Sequence, residues 1–398
     1  MKILIANHFP LEGSGSGIYS QNVARELVLQ GHEALVIAPS HDQQDGYPFP
    51  VRSILFSPDV GEINENERLP FNFPCFTTHP LSTTQYADLD EAQRELYVES
   101  FEFAMLDEAK KWKPDLIHAQ HLWTTAYAAN KLSLPYVATA HGTDLMGFRW
   151  YEKWRAMALE GAANAKTIIA VSGDVAHDTV ELYGVPEDRV KIIWNGFNSE
   201  IFRVMSIERD EVLNDYGLRP GIKHMIVFTG KLAEFKGVDV LMQAAAIYEK
   251  ALGDVSTLIV GDGGELSSLQ TLASQLDLSG VHFLGHQSQD KVARIMNVSD
   301  LAVVPSRVEP FGLVAIEALA CGTPVVATNQ GGLPEFVNGK VGALVDVEDT
   351  QGLAAAVIRE IESDSKRAKG PVAAEYARNG FSWSTQVSKM IELYETAI

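Results

Sequence analysis

The run Ser306-Arg307-Val308-Glu309-Pro310-Phe311-Gly312-Leu313-Val314-Ala315-Ile316-Glu317-Ala318-Leu319-Ala320 follows the apolar stretch Leu301–Val304. Four branched or small apolar residues in succession fit a strand buried on both faces of a parallel sheet. What comes next reads as a helix entered through Glu309, Pro310 and Gly312 and stopped by Cys321-Gly322. Glu309 and Glu317 stand eight positions apart across this turn. Were the residues between them helical, they would be separated by about 12 Å along the axis. That is long for a carboxylate pair sharing one bond cleavage, for which roughly 5–9.5 Å is usual. It suits two polar ends of one extended ligand with an anion between them at the helix start. A ribose, a diphosphate and a hexose in one molecule meet that description.

Outward from this turn, the chain alternates short apolar strands with amphipathic helices. Lys2–Ala6 leads through Gly13-Ser14-Gly15-Ser16-Gly17 into a helix expected from Ile18 to about Gln30, and Glu33–Ala38 follows as a strand. That order implies right-handed crossovers and a parallel sheet. Asp115–Ala119, Pro135–Ala140, Thr167–Val171 and Val190–Ile193 repeat the strand pattern, with a long periodic helix over Asp90–Trp112. Residues 41–89 lack clear periodicity, which in so long a segment points to a functional or partly ordered stretch rather than core. The pattern lapses from Phe197 to about Gly221 and then restarts with strands at Met225–Thr229, Val255–Val260, Val281–Leu284, Leu301–Val304, Pro324–Ala327 and Ala343–Val345. The expected organisation is α/β: two doubly wound Rossmann-like domains, 1–200 and 201–381, facing across a cleft at the strands' carboxyl ends. The last helix, within 382–398, is expected to cross back to the first domain.

Thirty-two basic against 52 acidic residues give a formal net charge of −20, which argues against nucleic acid and against docking on anionic membrane. Cys75 and Cys321 form no disulfide framework and read as reduced thiols. No apolar run approaches the roughly 20 residues of a membrane span. With no secretory h-region before Lys2–Ala6, the expected location is cytoplasmic.

Three turns of the second half carry the chemistry. Gly230-Lys231-Leu232-Ala233-Glu234-Phe235-Lys236-Gly237 follows a strand and opens a helix, so that two lysines flank backbone N–H groups suited to a diphosphate. Gly261-Asp262-Gly263-Gly264 ends the next strand, where glycines admit close backbone approach to a ligand. Gly331-Gly332-Leu333-Pro334-Glu335 offers helix N-terminal donors, although a plain glycine turn with Glu335 on the helix dipole reads equally well. In the first half, Gly13–Gly17 reads as a further anion cradle, and His141-Gly142-Thr143-Asp144 closes a strand at the sheet's carboxyl edge. Trp123, Arg149, Trp150 and Tyr151 fit either an acceptor platform or loop packing. His118 and His121 lack a third ligand at metal spacing, so no metal is expected.

These motifs, taken together and in order, resemble the retaining glycosyltransferases of the GT-B fold, and specifically family 4 with its E-x7-E motif. The resemblance covers Met225 to about Ile361 closely and the first half more loosely, through the glycine loop, the Asp115–His118 strand and His141. It implies a nucleotide-diphosphate-sugar donor, with a UDP-sugar expected, and no cofactor. Glu317 would hold the ribose hydroxyls and Glu309 a hydroxyl of the transferred hexose. Lys231 and Lys236 would neutralise the diphosphate. Gly15, Gly17, Gly230, Gly261, Asp262, Gly263, Phe311, Gly312 and Leu313 complete the donor set. His141, Lys236 and Glu309 form the catalytic set; Trp123, Thr143, Asp144 and Arg149 form the acceptor set. The family usually carries Arg where this chain has Lys231, which keeps the charge without the planar fork. A homodimer is compatible with the resemblance, and a small hydroxylated or carbohydrate acceptor is the expected second substrate. Two other readings stand beside it. An epimerase or phosphorylase on the same fold would change the donor without an acceptor hydroxyl or need a pyridoxal-bearing lysine; a two-lobed binding protein would do no chemistry.

Overall fold

The structure, a computed structural model, describes residues 1–58, 69–76 and 79–398. Part of the expected acceptor-shaping segment 41–89, namely 59–68 and 77–78, therefore lies outside the described residues. The chain divides into two compact units, Met1–Asn195 with Gln386–Ile398, and Gly196–Thr385.

The first unit is a seven-stranded parallel sheet. Its elements are β1 (Lys2–Ala6), α1 (Gly15–Leu29), β2 (Glu33–Ser40), β3 (Val51–Leu55), α2 (Glu91–Lys111), β4 (Leu116–Gln120), α3 (Thr124–Asn130), β5 (Tyr136–Ala140), α4 (Thr143–Trp150), α5 (Arg155–Ala163), β6 (Ile168–Ala170), α6 (Gly173–Tyr183) and β7 (Val190–Ile192). The order across the sheet is β3-β2-β1-β4-β5-β6-β7, so the winding reverses between β1 and β4. Helix starts follow their caps. Asp90 and Gln93 form a reciprocal capping box at α2, and Lys110 and Lys111 sit on its negative end. The Ser172 hydroxyl accepts from Val175 N at α6, which Gly184 ends in the left-handed conformation. The strand β3 was hidden in a segment without obvious periodicity.

The second unit is a six-stranded parallel sheet. It is built from α7 (Arg209–Asp215), β8 (His224–Thr229), α8 (Val238–Leu252), β9 (Val255–Val260), α9 (Leu266–Gln275), β10 (Val281–Gly285), α10 (Gln289–Val298), β11 (Leu301–Val304), α11 (Leu313–Ala320), β12 (Val325–Thr328), β13 (Gly342–Val345), α12 (Thr350–Glu362) and α13 (Ser365–Phe381). The order β10-β9-β8-β11-β12-β13 reverses between β8 and β11. Ile226, Phe228, Leu301, Val303 and Val326 from the strands pack with Leu241, Tyr248 and Val357 from α8 and α12. Helix α13, which has Pro371 inside it and was not among the expected elements, packs on α11. A Cβ at Gly370 would meet Gly322 O at 2.6 Å, so only glycine admits this approach.

The final helix, α14 (Trp383–Ala397), carries the boundary between the units. Val387, Met390 and Tyr394, one helical face, are fully buried. The Tyr394 hydroxyl pairs with His118 Nδ1 at 2.8 Å, and Met390 Sδ accepts from the Tyr19 hydroxyl at 3.8 Å. Among the described residues, no helix is long and apolar enough to cross a membrane.

Candidate active site

The loops that leave β8, β9, β11 and β12 meet at the carboxyl edge of the second sheet, around its winding reversal. Open parallel α/β sheets bind ligands there. Lys236 ends a short 3-10 turn, Glu234–Lys236, after β8, and Glu309 lies in the loop after β11. Their side chains form an ion pair at 2.6 Å, and the Ser306 hydroxyl donates to the same Glu309 oxygen at 3.1 Å. Arg307 ties the two loops together. Its guanidinium holds Asp239 through two nitrogens at 2.8 and 2.7 Å, reaches Glu234 O, and pairs with Glu348. Sequence reasoning passed over Arg307 and Ser306, although both stand inside the quoted run.

Helix α11 begins at Leu313, not near Glu309, because Gly312 at φ 107° forms a left-handed corner before it. Only Leu313 to Glu317 is helical, which accounts for about 6 Å of axial rise rather than about 12 Å. Glu317 therefore sits one turn into the helix on its own. Its carboxyl has no hydrogen-bond partner among the described residues, and burial pushes its pKa up to about 8 while leaving the side chain in part accessible. Such an acid lacks only a partner for its oxygens. Phe311, by contrast, is buried against Phe336 and offers no side chain to a ligand, which corrects its place in the donor set. Leu313 and Gly312 hold the helix start itself.

The glycines of these loops prove to serve the loops themselves. A Cβ at Gly261 would fall 1.8 Å from Gly230 O, and one at Gly263 would fall 2.2 Å from Leu232 O. At Gly237 and Gly331 the same atom would strike Pro305 O and Glu309 O at 2.0 and 1.8 Å. Backbone of one turn thus lies in van der Waals contact with backbone of the next, and Gly332 N donates to Glu309 O at 3.2 Å. Lys231 and Asp262 stand exposed on this edge, Asp262 accepting from Gly263 N.

In the first unit, the edge around β1, β4 and β5 gathers Asn7, His8, Gln120, His121 and His141. The rings of His8 and His121 lie 4.3 Å apart and those of His121 and His141 4.6 Å apart. Burial holds the pKa of each below the usual histidine range, that of His141 at about 3, so the trio is neutral. His141 Nε2 faces Gln120 Oε1 at 2.9 Å. The Asn7 amide, His8 Nε2, Gln120 Nε2 and His121 Nδ1 are buried with no partner among the described residues. Asn7-His8 and Gln120-His121 each follow the last residues of a strand at the sheet's reversal, the signal that would have found them.

Several expected residues have other work. The glycine run is no open cradle: α1 starts at Gly15, and the Gly17 N–H is taken by the Ser14 hydroxyl at 3.0 Å. A Cβ at Gly17 would lie 2.1 Å from Pro10 O, so Gly17 lets the loop cross the helix. Trp123 is fully buried, its indole donating to the Tyr183 hydroxyl and to Asp144 O, and is no stacking platform. Asp144 is fully buried as well, accepting from His141 N at 3.0 Å and Leu122 N at 3.2 Å. Arg149, exposed at the far end of α4, pairs with Asp178. Of the acceptor set only Thr143, 3.5 Å from His121 Nε2, stays on the edge. His118 spends both ring nitrogens on Thr139 and Tyr394.

Two family models cover this chain, glycosyltransferase family 4 over residues 13–201 and glycosyl transferases group 1 over 215–379. A D-inositol 3-phosphate glycosyltransferase of Rhodococcus erythropolis is 31% identical over 81% of this chain and 78% of its own. This chain belongs to glycosyltransferase family 4. The transferase is also 26% identical, over 96% of its length and 93% of the relative's, to an N-acetyl-alpha-D-glucosaminyl L-malate synthase of Bacillus anthracis. Its fold matches that of Anabaena HepE, solved with UDP-glucose, at a TM-score of 0.75 and 22% identity across the whole of both chains. Both units of the glycosyltransferase are thus Rossmann-like domains of the GT-B kind.

Proposed function

We propose that this glycosyltransferase moves a hexose or N-acetylhexosamine from a nucleotide-diphosphate sugar to a hydroxyl of a small or glycan acceptor, with retention at the anomeric carbon. The observation that carries the reading is the Lys236–Glu309 pair at 2.6 Å at the sheet's reversal, together with Glu317 in α11, buried with no hydrogen-bond partner among the described residues. Glu317 takes the ribose hydroxyls and Glu309 a hydroxyl of the sugar. Lys236, with Lys231 near it in sequence, moves onto the diphosphate and stabilises the charge that grows as the leaving group departs. The carbon–oxygen bond to the diphosphate breaks, the bond to the acceptor oxygen forms on the same face, and the acceptor's proton passes to a diphosphate oxygen. In this reading no protein nucleophile and no metal takes part, and the reaction proceeds in the cytoplasm. Support for UDP comes from the UDP-glucose-bound fold relative; support for a small acceptor comes from the inositol phosphate and malate in the relatives' names.

The test is the melting transition with UDP, GDP, ADP and dTDP, followed by their sugar conjugates. A nucleotide at 100 times its dissociation constant adds about 2.7 kcal/mol to the unit that binds it. A shift with UDP that grows with one UDP-sugar, and product of unchanged anomeric configuration by NMR, is expected. A shift with no nucleotide, confirmed by calorimetry, overturns the reading.

A further inference from the structure

His141 and Gln120 stand side by side at the ends of β5 and β4, and the atoms that face one another decide where the imidazole keeps its proton. Gln120 Oε1 lies 2.9 Å from His141 Nε2. An amide oxygen can only accept, so Nε2 is the donor and carries the hydrogen. In a neutral ring the other nitrogen, Nδ1, is then bare. The Gln120 side chain is fully buried, and the Thr125 hydroxyl donates to its backbone oxygen at 2.6 Å, which fixes the residue at the strand end.

The charged groups nearby leave this arrangement alone. Asp144, the carboxylate closest in sequence, takes the backbone N–H of His141 rather than its ring. The ring's other neighbours are His121, the Tyr19 ring at 4.8 Å, and, through their charge when protonated, His8 and His118. None of these supplies a negative charge to an imidazolium. Burial gives the same result, with the pKa of His141 drawn down to about 3.

We propose that Gln120 is a positioning residue that fixes His141 as the neutral Nε2–H tautomer, leaving Nδ1 to accept a hydrogen bond from a substrate hydroxyl. The role in transfer rests on the function proposed above; the tautomer does not. His141 is then neither a general acid nor an electrostatic partner for the diphosphate. It orients a hydroxyl by accepting its proton in a hydrogen bond, and no bond is made or broken at the ring.

The test uses the full chain labelled with 15N-histidine and no substrate, with His141 assigned from the spectrum of His141→Asn. Two-bond proton–nitrogen correlations should show the Nε2–H pattern with no imidazolium from pH 8 down to pH 5. Gln120→Glu keeps the shape but sets a carboxylate against Nε2, which raises the pKa of His141 by about 1–3 pH units. Imidazolium should then appear at pH 5, and the acid limb of the kcat/KM profile should move up with it. Gln120→Leu should give a mixture of tautomers. A wild-type Nδ1–H pattern, or a single unchanged tautomer in folded Gln120→Leu, overturns the assignment. An assigned tautomer with a kcat/KM profile unmoved in Gln120→Glu overturns the part played in transfer. Because the spectra need no substrate, failure of the transfer reading would leave the tautomer result legible on its own.

Discussion

Glu317 shows how a site residue can be recognised by what it lacks. A carboxyl buried without a partner gains affinity for its proton, and its pKa lies near 8 against an ordinary 4.5. Between those values the folded chain holds a proton that the unfolded chain has released, so stability falls as pH rises from about 4.5 to about 8. Glu317→Gln cannot ionise and should flatten that slope, measured as the urea midpoint at pH 5 and pH 8 without ligand. An equal slope in both proteins would mean that Glu317 finds a partner in solution. Toward a donor the effect is the reverse. Glu317→Ala removes its hydrogen bonds to the two ribose hydroxyls, worth about 0.5–1.5 kcal/mol each, and should weaken nucleotide binding by about tenfold in calorimetry. At this scale the position of Glu309, Lys231, Lys236 and His141 was legible, because each lies just beyond a strand at a carboxyl edge, while Glu317 lies within α11. Trp123 and Asp144 misled for a physical reason. Trp123 caps α3 and Asp144 lies in the first turn of α4, both with side chains turned inward, and a tryptophan or an aspartate read from sequence does not say which way it faces.

The turns show the same limit at the scale of elements. Glycine-rich loops after parallel strands suggest a ligand drawn close to backbone, yet at Gly261, Gly263, Gly331 and Gly237 the close neighbour is another loop. The succession of strands along the chain was legible from alternation, but which loops touch depends on the order of strands across the sheet, which local pattern does not encode. The start of α11 was misplaced by four residues because Glu309 and Pro310 are good helix openers. The left-handed corner at Gly312 overrules them. Gly331→Ala tests the loop packing. Its φ of 55° and the approach to Glu309 O make both the backbone and the space unfavourable, with backbone strain alone costing about 1–3 kcal/mol. Gly264→Ala, which meets open space, should change stability by no more than about 0.5 kcal/mol. Urea denaturation of the two variants separates a steric lock from general glycine flexibility; equal losses would remove the lock.

For the whole molecule, the telling contact is the one between Tyr394 and His118. It joins the last helix to the centre of the first sheet, and both partners are fully buried. Tyr394→Phe leaves a buried ring nitrogen unpaired at a cost of about 1–3 kcal/mol. In a unit of this size each kcal/mol is worth about 2–4 °C. Calorimetry should therefore show a lowered transition for the first unit, with that of the second unchanged. A drop shared equally by both would show that the units melt together.

The same contact sets an order of manufacture. Residues 1–195 leave the ribosome first, but Val387, Met390 and Tyr394 emerge only after the whole of the second unit. Of the two units the one begun first is thus finished last, and until α14 emerges the groove meant for that helix is open, with Tyr19 and His118 inside it. The second unit, Gly196–Thr385, is complete some dozen residues earlier, so it has all its own chain while its predecessor still waits for a helix. A released chain truncated just before Gln386 should accordingly resist protease in its second unit and yield in its first.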